Sequence, residues 1–258
     1  MPALSVAIIT HNEEANLGRT LRSLPKLFCE IVVVDSGSTD STVAIAEQYG
    51  ARVIVADWIG FAAQKNLAIA ECTGDWVLSL DADEELTPQL REEIVSLFSE
   101  QHRATEPEAY YIPRRNFFLG RWIQYGGFYP DAKLRLFRRG CASFEQRPVH
   151  EVIRYDGVTA TLRNDLLHHA YPTLSGYFEH MNRYSSLGDD LLRRRGKTSH
   201  NPAQFVANIV LVPAAMFLWN YIVRFGFRDG REGLLLHFYH AAYTSWKYAK
   251  AWEAERSL

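Results

Sequence analysis

The first hundred residues alternate short, apolar, β-branched runs with stretches of helical periodicity, which restricts this part of the chain to a parallel sheet covered by helices. Candidate strands are Leu4 to Thr10, Ile31 to Val34, Arg52 to Val55 and Trp76 to Leu80. Between them Leu17, Leu21 and Leu24 recur at helical spacing, Ser38 to Thr42 offers N-caps before Val43 to Tyr49, and Gly50 supplies a stop. The order β-α-β-α-β-α-β predicts an α/β fold with a Rossmann-like, mostly parallel sheet and flanking helices. In an open sheet of this kind, ligands bind beyond the carboxyl ends of the strands. The residues there are polar: Thr10 to Glu14 after the first strand, Asp35 to Asp40 after the second, Asp81 to Glu84 after the fourth. Three acidic or hydroxylic clusters are thus predicted to share one edge.

With hydrophobic types at 47% of 258 residues, the chain can bury a large core. Its formal net charge of -2 lacks the cationic balance of a nucleic-acid binder, so an anionic ligand must be met by local charge. Cys29, Cys72 and Cys141 are far apart and without CxxC spacing, which suggests neither a disulfide framework nor a zinc site and fits a reducing, cytoplasmic compartment. Leu4 to Thr10 is too short for a signal-peptide core and has no basic leader, so export is not expected.

The strongest chemical feature is Asp81-Ala82-Asp83 at the end of an apolar strand. In a continuing strand the two carboxylates would face opposite sides, but a turn beginning at Asp81 can converge them on Mg²⁺ or Mn²⁺. Such a metal would neutralise charge developing on a departing diphosphate. An acidic pair after a strand also serves simply to cap the next helix. In Gln64-Lys65-Asn66, the lysine is a point charge suited to a diphosphate and the amides can fix orientation, or all three form a solvated helix face. Asp35, closing the second strand, can accept from a uracil imide or a ribose hydroxyl.

The blocks THNEE, VVVDSGSTD, AAQKNLAIAECTGDWVLSLDADEEL and KLRLFRR, in that order, resemble the glycosyltransferase family 2 enzymes, specifically the small bacterial branch that includes lipopolysaccharide core β-glucosyltransferases. The resemblance is firm from Leu4 to Tyr155 and looser beyond. It implies a GT-A fold and an inverting single displacement from a UDP-sugar, UDP-glucose in particular. Thr10, Asn12 and Glu13 would lie against the nucleotide, Asp35 would accept from the base with Asp40 close by, Asp81 would touch ribose or metal, and Asp83 would be the principal metal ligand. Inversion needs a general base for the acceptor hydroxyl, and Glu151 in Arg147-Pro148-Val149-His150-Glu151 is the first choice. His150 beside it is a candidate third metal ligand or acceptor contact, although the two alternate on a strand. Asp131 is the second candidate base, following the aromatic, Gly-rich stretch Tyr125 to Pro130 that could form an acceptor loop. Arg135 and Arg138 either meet an acceptor or phosphate or decorate an edge strand.

On this reading residues 1–172 are the GT-A domain, with a nucleotide-sugar half to about 105 and an acceptor half from about 106, and residues 173–258 are amphipathic and hydrophobic helices. Tyr177, Phe178, Met181, Tyr184, Leu187 and Leu191 keep helical spacing before Arg193, Arg194, Arg195 and Lys197. Phe205 to Val223 has no charge but contains Asn208, Pro213 and Asn220, and Arg224, Arg228 and Arg231 follow. An interfacial or re-entrant helical pair is favoured over a buried helix or a true span. The predicted partners are a UDP-sugar donor, a lipopolysaccharide or lipid-linked acceptor and the inner face of the cytoplasmic membrane, with a homo-oligomer left open. The competing functions are a polyprenyl-phosphate sugar synthase, whose anionic acceptor needs no protein base, and a nonenzymatic sugar-nucleotide-binding membrane scaffold.

Overall fold

Runs of valine, isoleucine and leucine form the central strands, and burial on both faces explains why these runs are continuous rather than alternating. A computed structural model describes residues 3–24, 30–99, 107–146, 152–194, 199 and 201–256. The chain runs through β1 (Leu4–Thr10), α1 (Leu17–Ser23), β2 (Glu30–Asp35), α2 (Thr42–Gln48), β3 (Arg52–Val55), α3 (Phe61–Ala70), β4 (Trp76–Asp81), β5 (Glu84–Leu86) and α4 (Pro88–Ser99). There follow β6 (Ala109–Ile112), β7 (Arg114–Phe118), β8 (Arg121–Trp122), β9 (Lys133–Arg138), β10 (Ser143–Phe144), β11 (Ile153–Arg154), β12 (Thr159–Thr161) and β13 (Leu166–Tyr171). Around the candidate base only β11 is described as strand; Arg147 to Glu151 lie outside the described residues.

The chain divides into two compact units. Among the described residues the first holds the chain up to Arg115, then 131–146 and 152–169; the second holds 116–130 and everything from Ala170 onward. The first unit is built on a seven-stranded sheet of order β12-β6-β9-β4-β1-β2-β3. β1 is parallel to β2 and β4, and β9 runs antiparallel between β4 and β6, so the KLRLFRR segment is an inner strand and not an edge. On one face Val6, Ile8, Leu78 and Leu80 pack with Leu17, Leu21, Leu90 and Ile94; on the other Ala7, Val32, Val34 and Val77 pack with Ala62, Ala68 and Ile69. Register then fixes the functional edge. Thr10 lies opposite Asp35, and Ile9 opposite Asp81, so the three polar segments leave the sheet level with one another.

The second unit packs Phe118, Ile123, Tyr177, Met181 and Leu236 into one core. Its helices are α5 (Leu174–Arg194), α6 (Pro202–Val206), α7 (Val212–Leu218) and α8 (Gly230–Arg256), with π-helical turns at Ala207–Leu211 and Trp219–Val223 and a 3-10 turn at Gly226–Asp229. The first π turn leads into Pro213, whose missing N–H and bulky ring disfavour ordinary α pairing there. Pro202–Val223 is continuous in its helical character over 22 residues, and its most apolar 18-residue window has a mean hydropathy of 1.8 and is 6% buried. By length and composition it could cross a membrane.

His237 on α8 is 2% exposed, and neither ring nitrogen has a hydrogen-bond partner among the described residues. It fills the space left by Gly126 and Gly226, where an added Cβ would lie 2.0 and 2.3 Å from its ring.

Two consequences can be measured. Leu78→Ala empties the centre of β4 and is expected to cost about 2–5 kcal/mol in urea unfolding, with unchanged m-value. Burial lowers His237 to about 4, and burial together with His237 and Lys247 lowers His240 to about 4. The unfolded chain therefore binds protons that the folded chain refuses, and stability present above pH 6.5 is lost as pH falls toward 4. Thermal midpoints should decline across that window, with a shallower slope in His237→Phe; equal slopes would contradict the assignment.

Candidate active site

The loops after β1 and β2 hold each other. Asp35 is buried at the end of β2, where its carboxylate accepts from Thr10 Oγ1 at 3.0 Å, Ser38 Oγ at 2.5 Å, and the N–H groups of Gly37 and Ser38 at 2.9 and 2.8 Å. Four donors fill the lone-pair sites of a carboxylate, so Asp35 organises its loop, and a nucleobase donor would have to displace one of them. Asn12 has φ 54°, in the left-handed region that Asn tolerates. Its N–H donates to Ser38 Oγ at 2.8 Å, and its Oδ1 accepts from the Thr39 N–H at 2.8 Å. Glu13 donates its N–H to Thr42 Oγ1 at 2.7 Å, and Glu14 donates its own to Asp40 Oδ2 at 3.2 Å. Asp40 also accepts from the Thr42 N–H and hydroxyl, at 3.0 and 2.5 Å. Burial raises the Glu13 carboxyl above its ordinary range; a hydrogen bond from Asn16 opposes this, and Asp83, Asp40 and Asp81 add to it.

Around the end of β4 the charges alternate. Lys65 Nζ meets Asp81 Oδ1 at 2.7 Å; Arg135 Nη2 meets Asp81 Oδ2 at 2.5 Å and Glu84 Oε1 at 2.7 Å. Arg114 then joins Glu84, at 2.9 Å, to Asp131, at 2.6 Å, and Lys133 closes on Asp131 at 2.8 Å. Burial alone would raise Asp81, yet Arg135 and Lys65 outweigh it and hold the carboxyl well below its usual range. Asp131 behaves in the same way, with Arg114 and Lys133 overcoming burial. It is a poor proton acceptor as it stands. Arg135 is shielded from water, which disfavours its charge, but Asp81 and Glu84 more than restore it.

Asp83, two residues on, turns to a different partner. Its Oδ2 lies 3.3 Å from His168 Nε2, while its backbone carbonyl accepts from the His169 N–H at 3.1 Å. Burial opposes the Asp83 charge, His168 favours it, and the balance is a lowered carboxyl. His169 pairs with Glu85 at 3.2 Å; burial and then Arg19 lower its affinity for a proton against that pairing. A carboxylate oxygen beside an imidazole nitrogen is a donor pair suited to Mn²⁺, and less to Mg²⁺, which prefers oxygen throughout. No group of three His, Cys, Asp or Glu side chains able to enclose a metal occurs among the described residues, so substrate oxygens would have to complete the coordination. His150 and Glu151, the proposed third ligand and base, lie outside the described residues.

The remaining candidates separate. Gln64 is buried, donates to Ser36 Oγ at 3.1 Å, and leaves its Oε1 without a donor among the described residues. Asn66 is occupied on both sides by the Phe144 backbone, giving to its carbonyl at 2.9 Å and taking from its N–H at 2.8 Å, so it pins β10 to α3. Arg138 sits opposite Trp76, at the far end of β4 from Asp81, and pairs with Glu108 at 3.0 Å; the structure does not bring it to the site. The sequence marks Glu84 only as part of the polar cluster after β4, and does not point to Arg114 or His168. The adjacent histidines in LLHHAY were the one available signal for the last.

The sequence pattern of glycosyl transferase family 2 matches residues 5–178. The chain is 34% identical over 252 residues to an uncharacterized glycosyltransferase of Rickettsia felis, covering 92% of this chain and 87% of that protein. It is 32% identical over 257 residues to the lipopolysaccharide core biosynthesis glycosyltransferase LpsC of Rhizobium meliloti, covering 97% and 92%. Among solved structures, the mannosyltransferase PcManGT from Pyrobaculum calidifontis, in complex with GDP-Man and Mn²⁺, superposes with a TM-score of 0.56 at 15% identity, covering 97% of this chain and 87% of that one, a likeness of fold. The chain belongs to glycosyltransferase family 2 and carries its GT-A architecture of a mixed sheet with flanking helices.

Proposed function

We propose that this glycosyltransferase is an inverting hexosyltransferase that passes the sugar of a UDP-sugar, UDP-glucose above others, to a lipopolysaccharide core sugar or a related lipid-linked glycan at the inner face of the cytoplasmic membrane. The observation that carries the reading is Asp81 clamped between Lys65 and Arg135, with the Asp83–His168 pair beside it, at the strand edge where ligands of such sheets bind. The similarity to LpsC along nearly the whole chain supports the acceptor class.

In this reading the Gln64 Oε1 accepts from the nucleoside, and Lys65 turns from Asp81 toward the diphosphate. Arg135 keeps Asp81 oriented while Lys65 moves. The alternating charges are nearly self-neutralised, so they have little positive charge to spare for a departing diphosphate. Asp83 and His168 would hold a divalent cation, which would supply that charge. Asp131, held deprotonated by Arg114 and Lys133, is too weak a base for the acceptor hydroxyl, which leaves Glu151 as the proposed base. The exposed apolar stretch of Pro202–Val223 supports peripheral attachment, bringing the enzyme to an acceptor it does not extract.

The test is a panel of UDP- and GDP-sugars with Mn²⁺, read by donor hydrolysis and thermal stabilisation. A UDP-sugar at 100 times its Kd should stabilise by about 2.7 kcal/mol, and silence from every donor with metal would sink the reading. Asp81→Ala and Asp83→Ala should each lower kcat/KM by about 10²–10³. His168→Ala should instead raise the Mn²⁺ concentration needed for half-maximal rate by about tenfold or more. For the base, Glu151→Gln should lower kcat by about 10²–10⁴. If it leaves turnover intact, a polyprenyl-phosphate acceptor becomes the better account.

A further inference from the structure

We infer that the second unit carries a binding cleft for the phosphate group of an anionic membrane lipid, gripped by Arg121 and Arg228. The inference rests on the proposed membrane attachment and assigns it a defined headgroup site. The cleft has a volume of about 710 Å³, and Arg121, Trp122, Tyr125, Phe227, Arg228 and Asp229 line it.

The acid of that lining is buried and bonded to backbone. Asp229 is 2% exposed, and its two oxygens accept from the N–H groups of Gln124 and Tyr125 at 3.1 and 2.8 Å. Its charge is spent on tying the segment after β8 to the 3-10 turn, which shapes the cleft. Arg228 is held by aromatic faces: its guanidinium lies 5.3 Å from the Tyr125 ring centre and 5.8 Å from that of Phe225, and it has no carboxylate partner among the described residues. Arg121 reaches the Arg228 carbonyl at 3.4 Å, and its ion pair with Glu232 is long, 3.9 Å, and solvent-exposed, hence weak. Two planar guanidinium forks, that of Arg228 over aromatic rings and that of Arg121 with only a long ion pair, match the oxygens of a phosphate.

The location selects a lipid. The apolar helix ends at Val223, and within four residues the chain presents Arg224, Phe225 at 52% exposure and Phe227 at 47%. Arginines and amphipathic rings at the end of an apolar helix stand at the level of the headgroups. Trp122 and Tyr125 in the cleft wall suit that same boundary between acyl chains and water.

The experiment uses the whole chain, sedimented at one ionic strength with vesicles of phosphatidylcholine alone or with phosphatidylglycerol added. Wild type should prefer the anionic vesicles, and Arg121→Gln/Arg228→Gln should weaken that preference by about tenfold or more while binding to neutral vesicles persists. Arg231→Gln/Arg256→Gln removes equal charge outside the cleft and should stay within about twofold of wild type. Thermal midpoints close to wild type establish that both variants are folded. Retention of the preference by the cleft variant, or an equal loss in the control, overturns the site in favour of a diffuse field. Abolition of the preference by millimolar inorganic phosphate, at matched ionic strength, overturns the lipid in favour of a soluble anion. Equal binding to both vesicle types removes the headgroup site alone; no binding to either removes the membrane attachment with it.

Discussion

Glu84 has no exposed surface, and an ionised carboxylate in that position must be answered by charge. Arg114 and Arg135 answer it, and each then needs a second acid. Asp131 serves the first and Asp81 the second, while Lys65 meets the outer oxygen of Asp81. The result is a ladder, Asp131–Arg114–Glu84–Arg135–Asp81–Lys65, that joins β9, β7, β5, β4 and α3 across the edge of the sheet. Removing an inner member would leave a buried charge without its counterpart, so the ladder behaves as a unit. At each end a lysine meets an acid that keeps an arginine: Lys65 meets Asp81, which retains Arg135, and Lys133 meets Asp131, which retains Arg114. In the proposed reading the donor diphosphate lies at the Lys65 end, beside Asp81 and Asp83.

The same logic separates the two acids of the DxD segment. Asp81 is bound into the ladder at both oxygens. Asp83 is not: its carboxylate faces an imidazole across 3.3 Å. One acid is therefore held between two cations and the other beside an imidazole, although they are chemically identical and two residues apart. The turn between β4 and β5 makes the difference, because it takes Asp83 away from the arginines of β9 and β7 and toward β13.

The first four strands and the polar edge were legible because parallel strands buried on both faces write themselves as continuous apolar runs, and Gly50 and the Ser38 to Thr42 cluster mark where helices stop and start. What the sequence does not display is pairing between distant segments. His168 meets Asp83 only because β13 runs antiparallel to β5, a register no local pattern encodes. Arg135 and Arg138 look equivalent in KLRLFRR, yet an inner antiparallel strand sends one to the ladder and the other to the opposite end of the sheet. Asn66 shows the limit of residue type as a signal. An amide that could orient a diphosphate is equally able to bond a backbone, and Phe144 takes both its ends. Asp35 already has four internal donors, which its residue type and position at the end of β2 do not reveal.

In the second unit, the contacts of α8 bear on how the apolar stretch would meet a bilayer. Trp252 lies 5.0 Å from Phe205, Ser245 donates to the Ile209 carbonyl at 2.9 Å, Thr244 reaches Met216, and His237 lies 6.1 Å from Tyr221. As one chain number rises the other falls, so α8 runs antiparallel along the whole of Pro202–Val223. On its other side Lys250 is bound to the Asn182 carbonyl and side chain and to Ser186 of α5, at 2.7 to 2.9 Å. If Pro202–Val223 crossed the hydrocarbon upright, α8 would be carried through with it, and Lys247 and Lys250, which fall between the Ser245–Ile209 and Trp252–Phe205 contacts, would have to reach the interface from near one end. Lying flat avoids this: the apolar stretch faces the acyl chains, α8 forms a middle layer, and the polar residues of α5 face water. In the proposed reading, the pairing of these helices is accommodated by interfacial attachment, with α8 between the apolar stretch and α5.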